Sequence, residues 1–302
     1  MNKNFKIISI NIILILNIIL LFDWLLLAIN QYKVQPVDLN WTLKVTPRIE
    51  SFLPFDSTKR PIITIGDSYV FGELIAPEDT LAYKLQQITN RKTFNYGMTA
   101  QGIQHVLYKI RHSDFFKQKD LNPEYVVYIF IADHLNRMYK NYYWFVGSTK
   151  YLRYAKTNSE GGGLVERPLE VVPSDYIKVS YIGKKWTDII YSLKSDNQKF
   201  NLYKLHIKEV NKALHEKYPD SKLVVIVYND DTYQNVMGFD IKPFHTNRWD
   251  EIEQMGVKVI NFDVPEFNFL NQRQYRTIDN LHPSGLAWDV LVPVVAKELN
   301  LI

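Results

Sequence analysis

From Pro61 onward the chain alternates short, continuous apolar runs with longer stretches in which apolar residues recur every three or four positions. The first pattern reads as buried β-strand and the second as amphipathic helix. Strands are expected at 61–66, 92–96, 125–131, 222–228 and 257–262, and helices at 79–89, 101–118, 199–217, 247–255 and 284–299. Runs such as Leu223-Val224-Val225-Ile226-Val227 are apolar at every position, which suits a central strand covered on both faces. Strands separated by helical stretches imply βαβ units, and hence an α/β fold: a three-layer α/β/α sandwich around a mainly parallel five-stranded sheet.

Two parts of the chain break this rhythm. Ile7 to Ile29 is an apolar run whose polar members are Ser9, Asn11, Asn17 and Asp23. As a helix it would measure roughly 35 Å, enough to cross a hydrocarbon core of about 30 Å with some tilt. A cleaved signal or a buried helix is the competing reading, but no small-x-small cleavage site follows Ala28, and Trp24 suits an interface. The expected organisation is therefore a short tail at 1–6, one N-terminal transmembrane helix at 7–29, a juxtamembrane connector at 30–60 holding Pro36, Pro47 and Pro54, and one domain at 61–302. Lys3 and Lys6 on one side face Lys33, Lys44 and Arg48 on the other, so charge does not orient the helix. A short tail ordinarily stays inside, which would put the domain outside the cell membrane. The second break, at about 137–198, carries Tyr139, Tyr142, Tyr143, Trp144 and Phe145 and then Gly161-Gly162-Gly163. It reads as an insertion, either a lid or platform near the strand ends or a satellite core.

Composition narrows the function. With 36 basic and 32 acidic residues in 302, the net charge of +4 gives no ground for nucleic-acid binding, and no run of five basic residues occurs. The absence of cysteine excludes a disulfide framework and a thiolate metal site.

The candidate chemistry begins where the first apolar run ends, in Gly66-Asp67-Ser68. A serine at the carboxyl end of a parallel strand points into the crevice where open α/β sheets bind ligands, and a helix starting there turns free N–H groups toward it. Glycine, aspartate and serine also make ordinary turns, so the assignment needs partners. Asp279-Asn280-Leu281-His282 places a carboxylate and an imidazole three residues apart. His282 would take the Ser68 proton and return it to the leaving group, with Asp279 holding its tautomer. Asn95-Tyr96-Gly97, after a strand, is placed to offer an oxyanion N–H.

These three blocks resemble those of the SGNH or GDSL hydrolases, over residues 60–302. The resemblance implies a flavodoxin-like sandwich and a serine esterase or deacylase working through an acyl-serine intermediate. Ser68, His282 and Asp279 match the triad, and the Ser68 and Gly97 N–H groups match oxyanion donors. It also implies ester-linked acyl groups of cell-envelope carbohydrate or lipid as substrate. One block departs: where the family reads Gly-x-Asn-Asp, this chain reads Ile131-Ala132-Asp133-His134, which removes the usual asparagine donor. Asn136 is a candidate substitute. An ionised Asp133 facing the oxyanion would oppose it, so Asp133 is expected to turn toward Arg137 or His134. Asp67, Asp133 and Arg137 are carried as candidate substrate contacts, Arg137 alternatively as the partner of a local acid. His134 could be a metal ligand or an alternate base, but no ligand cluster accompanies it, and neither metal nor cofactor is expected. His105, His112, His206 and His215 read as helix-face residues. The same triad would serve an O-acyltransferase, and the missing asparagine leaves open a catalytically silent scaffold.

Overall fold

The computed structural model describes residues 53–99, 101–138, 194–228 and 244–302, together with Asn17, Leu21 and three short strands outside those ranges. Its strands are β1 (Arg48–Ile49), β2 (Ile62–Gly66), β3 (Thr93–Gly97), β4 (Tyr125–Phe130), β5 (Ala155–Thr157), β6 (Leu164–Glu166), β7 (Lys222–Val227) and β8 (Lys258–Asn261). Its helices are α1 (Ser68–Phe71), α2 (Leu81–Thr89), α3 (Ile103–His112), α4 (Asp133–Arg137), α5 (Asp196–Lys217), α6 (Asp250–Glu253) and α7 (Gly285–Glu298).

The main sheet runs β1-β3-β2-β4-β7-β8, and its last five strands are parallel. Every residue of β2, β3 and β4 is buried, including the polar Thr64, Thr93 and Asn95. Two cores lie on opposite faces. One gathers α3 and α5 residues such as Val106, Ile110, Phe200 and Val210. The other gathers α1, α2 and α7 residues such as Tyr69, Val70, Leu85 and Trp288. The helices end where local chemistry stops them. Thr80 caps α2 by accepting from the Tyr83 N–H, and Asn90 closes it in the left-handed region at φ +54°. Ser195 and Gln198 form a capping box on α5.

Several expectations are corrected. The sheet has a sixth strand: Arg48–Ile49, expected within a connector, pairs antiparallel with β3 at the edge. The expected helix 101–118 ends at His112, because Ser113 takes extended backbone, and a 3-10 turn follows at Phe115–Lys117. The helix expected at 247–255 is only Asp250–Glu253. His206 is a core residue, 2% exposed. The transmembrane segment 7–29 lies outside the described residues except for Asn17 and Leu21, and among the described residues no helix is long and apolar enough to cross a membrane. The insertion at 137–198 also lies largely outside them; its described parts include the antiparallel pair β5–β6.

This topology fixes where a site can be. The chain runs from β2 outward to β3, then returns across β2 to β4, so the strand order reverses around β2. The crevice at such a switch point lies beyond the carboxyl ends of the strands, where Ser68 follows β2.

Candidate active site

Asp67 follows β2 and caps the short helix after it: its Oδ1 accepts from the Tyr69 N–H at 3.0 Å. Ser68 therefore stands at the first position of α1, 5% exposed. Helix α1 ends after one turn at Gly72, whose φ of +78° is left-handed, and whose Cβ, were there one, would lie 2.4 Å from Thr80 Cγ2. The turn is tied to β3 through Asn95, which donates to Phe71 O at 3.4 Å.

The opposite wall is the loop before α7. Arg276, 3% exposed, donates to Leu270 O, Leu281 O and Asn271 Oδ1 and lies over the Tyr228 ring. Tyr69 reaches across from α1, its hydroxyl donating to Leu281 O at 3.0 Å. These anchors fix a loop in which Asn280 takes φ +59°, a backbone state asparagine tolerates better than most residues.

The three residues far apart in sequence meet here. Ser68 Oγ lies 2.9 Å from His282 Nε2, and His282 Nδ1 lies 2.5 Å from Asp279 Oδ2. The other Asp279 oxygen accepts from Thr277 Oγ1 at 2.5 Å and from the Leu281 N–H at 2.9 Å. Burial raises the Asp279 pKa, but these donors and His282 outweigh it and hold the carboxyl at about 2. Asp279 is thus a fixed anion, His282 Nδ1–H donates to it, and the free Nε2 lone pair faces the Ser68 hydroxyl. Its ring packs against Tyr69, centroids 5.4 Å apart.

No family model matches the chain, and no curated protein does. Its structural neighbours include G-D-S-L proteins and esterases. They include a protein assigned to the lipolytic G-D-S-L family from Desulfitobacterium hafniense DCB-2, at 11% identity over 80% of this chain and 99% of that one, with a TM-score of 0.42. A catalytic mutant of Axe2, an acetylxylan esterase from Geobacillus stearothermophilus, is similar at 11% identity over 82% and 95%, TM-score 0.42. Est2A, an acetyl xylan esterase from the rumen bacterium Butyrivibrio proteoclasticus, is similar at 11% over 83% and 66%, TM-score 0.44. Likeness this distant carries nothing about activity.

Of the other candidate residues, Gly97 and Asp67 are placed differently from expectation, whereas Asp133 and Arg137 form the expected pair. The Gly97 N–H, expected to serve an oxyanion, donates to Asn95 Oδ1 at 3.0 Å within its own strand. Gly97 instead lets β3 and α1 touch, since its Cβ would fall 2.3 Å from Phe71 N. Asp67, Asp133 and Arg137, carried as substrate contacts, are 0%, 2% and 4% exposed and bind one another. Arg137 Nη1 donates to Asp67 Oδ2 at 3.1 Å and to Gln101 O at 2.7 Å, and its Nε donates to Asp133 Oδ2 at 2.7 Å. Asp133 does turn to Arg137. The reason is desolvation: two buried carboxylates require a cation, and one guanidinium spans both.

His134 completes this cluster. Its Nε2 lies 2.9 Å from Asp67 Oδ2, and its Nδ1 lies 2.5 Å from the Tyr128 hydroxyl. Burial lowers the His134 pKa and raises that of Tyr128 well above the usual phenol range. A neutral imidazole donating from Nε2 and accepting the Tyr128 proton at Nδ1 satisfies both contacts. Burial would raise the Asp67 pKa, but the His134 and Arg137 contacts outweigh it, so the carboxylate stays ionised. Among the described residues no group of three or more potential ligands could hold a metal. Asn136 belongs to α4, and its side chain lies outside the described residues. Tyr69, Thr277 and Arg276 were not identified from sequence, and neither was the tie that the Asn95 side chain makes to Phe71 O. Only Tyr69, beside the serine, and Asn95, beside Gly97, had any positional signal.

Proposed function

We propose that this chain is a serine esterase or deacylase of the SGNH type that acts through an acyl-Ser68 intermediate. The observation that carries the reading is the continuous path from Ser68 Oγ to His282 Nε2 at 2.9 Å and from Nδ1 to Asp279 Oδ2 at 2.5 Å. In acylation His282 removes the hydroxyl proton as Oγ attacks the ester carbonyl. The Ser68 N–H, at the start of α1, is the donor offered to the developing oxyanion. Collapse of the tetrahedral intermediate expels the alcohol, which takes its proton from His282. Water then repeats the sequence on the acyl-serine and frees the acid. A triad with intact geometry argues against a silent scaffold.

The substrate class supported by the motif resemblance is an ester-linked acyl group on cell-envelope carbohydrate or lipid. The apolar run 7–29 supports a single-pass membrane anchor, with the domain outside the cytoplasm. The expected outcome is that the protein stays in the membrane fraction after a carbonate wash and that protease added to spheroplasts digests the domain.

A fluorophosphonate probe tests the central claim, because it modifies a serine only where a base has activated it. Labelling of the wild type at Ser68, lost in Ser68→Ala, is the expected result. Persistent labelling in that variant, or none in folded wild type, overturns the reading. Product analysis with an O-acetylated glycan, with and without an acceptor sugar, separates hydrolysis from acyl transfer.

A further inference from the structure

The space before Ser68 and His282 is bordered by a carboxylate that the triad does not use. Glu73 leaves α1 directly after Gly72, and its N–H donates to Ser68 O at 3.1 Å. Leu74 then takes φ +64°, a left-handed conformation disfavoured for leucine. Backbone held against its preference in this way clusters at active sites and ligand clamps. Glu73 Oε2 accepts from Thr99 Oγ1 at 3.1 Å and lies 3.7 Å from His282 Nε2. The side chain is 34% exposed, and among the described residues no lysine or arginine forms an ion pair with it.

On the esterase reading, His282 Nε2 is the atom that hands a proton to the departing alcohol. That oxygen must come within about 3 Å of Nε2 for the transfer. Anything carried next to it therefore enters the neighbourhood of Oε2, in a half-buried crevice where charges are screened less than in water. We infer that Glu73 sets specificity on the alcohol side of the ester. It accepts a hydrogen bond from a neighbouring hydroxyl or ammonium group, as on a polyol or amino sugar, and repels alcohols bearing negative charge beside the scissile bond.

The test compares kcat/KM on three aryl acetates that share the acyl group and differ in the charge of the phenol: 4-acetoxybenzamide, 4-acetoxybenzoate and 4-acetoxyphenyl-trimethylammonium. Comparing each variant's ratios with those of the wild type cancels the intrinsic reactivities. In Glu73→Gln the preference for the neutral over the anionic ester should shrink about tenfold, the scale of one unit charge acting at this distance in a partly screened site. Glu73→Lys should shift the ratio further, toward the anionic ester. Fluorophosphonate labelling of Ser68 in each variant reports that the triad is intact. A role limited to steadying the imidazolium would slow all three esters alike, and unmoved ratios in variants that still label would overturn the inference. Loss of labelling in both variants would make Glu73 a support of the triad and also overturn it. Absence of labelling and turnover in the wild type would overturn the esterase reading and this inference together.

Discussion

Asp279 has two tasks, and a single atom change separates them. Its Oδ1 receives the Thr277 hydroxyl and the Leu281 N–H, which shape the loop, while Oδ2 holds His282. Asp279→Asn keeps an acceptor for the loop but presents an N–H₂ to His282 Nδ1, which then turns its proton toward Ser68. Turnover should fall about 10⁴-fold with the melting temperature nearly unchanged, following the effect of the wrong tautomer. A loss under tenfold would show that the tautomer is held by something else. Gly97 makes the contrasting case. In Gly97→Ala the added methyl meets the Phe71 N and Val70 C atoms at 2.3 and 2.7 Å, and both are backbone, so no side chain can rotate away. Unfolding free energy should drop by about 2 kcal/mol or more, the range for overpacking and backbone displacement. Denaturant unfolding measures it; an unchanged midpoint would mean that α1 can shift from β3.

At the scale of elements, what was legible in the sequence was what repeats. The five parallel strands lie within a residue or two of their expected ranges because burial in a central sheet concentrates apolar residues in short runs, most completely in β4 and β7. The triad was legible because strand end and loop motif are each local. What was not legible depends on contacts between distant segments. A two-residue antiparallel strand such as Arg48–Ile49 has no periodicity to show. The pairing of Asp133 with Arg137 was legible from their spacing, but not that both are core residues of α4 that tie together the ends of β2 and β4 and the loop after β3. That tie is testable as a unit. Arg137→Met fills much of the volume but leaves the Asp67 and Asp133 carboxylates buried without their cation. The cost should be about 3–5 kcal/mol, and because Asp67 caps the helix bearing Ser68, labelling of Ser68 should slow as well. A stable Arg137→Met variant would mean that solvent or a protonated carboxyl takes over.

For the whole molecule, buried ionisable groups decide how stability follows pH. Burial holds His105 at a pKa of about 3 and His206 at about 4, and lowers His134 in the same direction. His105 and His206 are therefore neutral in the folded protein at pH 5, whereas in the unfolded chain an imidazole titrates near 6.5. Below that value the unfolded chain binds more protons, so stability is full above about pH 6.5 and falls as pH drops toward 4. Asp279 adds a later loss: its folded pKa of about 2 lies below the unfolded value of 3.8, so its contribution is present above about pH 4 and disappears as pH falls toward 2. Lys109 acts at the other end. It is 1% exposed with its amine on Tyr96 O at 2.8 Å, and burial lowers its pKa to about 7. Between pH 7 and the unfolded value of 10.5 the unfolded chain binds the extra proton, so this group makes stability rise with pH. Melting temperatures taken in half-unit steps from pH 4 to 9, at constant ionic strength, separate the two. A variant combining His105→Gln and His206→Gln should flatten the acid slope while leaving the alkaline slope alone. Lys109→Met should remove the rise above pH 7 and leave the acid slope alone. An acid slope unaltered in the histidine variant would place the proton-linked loss in His134 or the carboxylates, and an alkaline rise surviving Lys109→Met would mean that the amine is charged in the folded core.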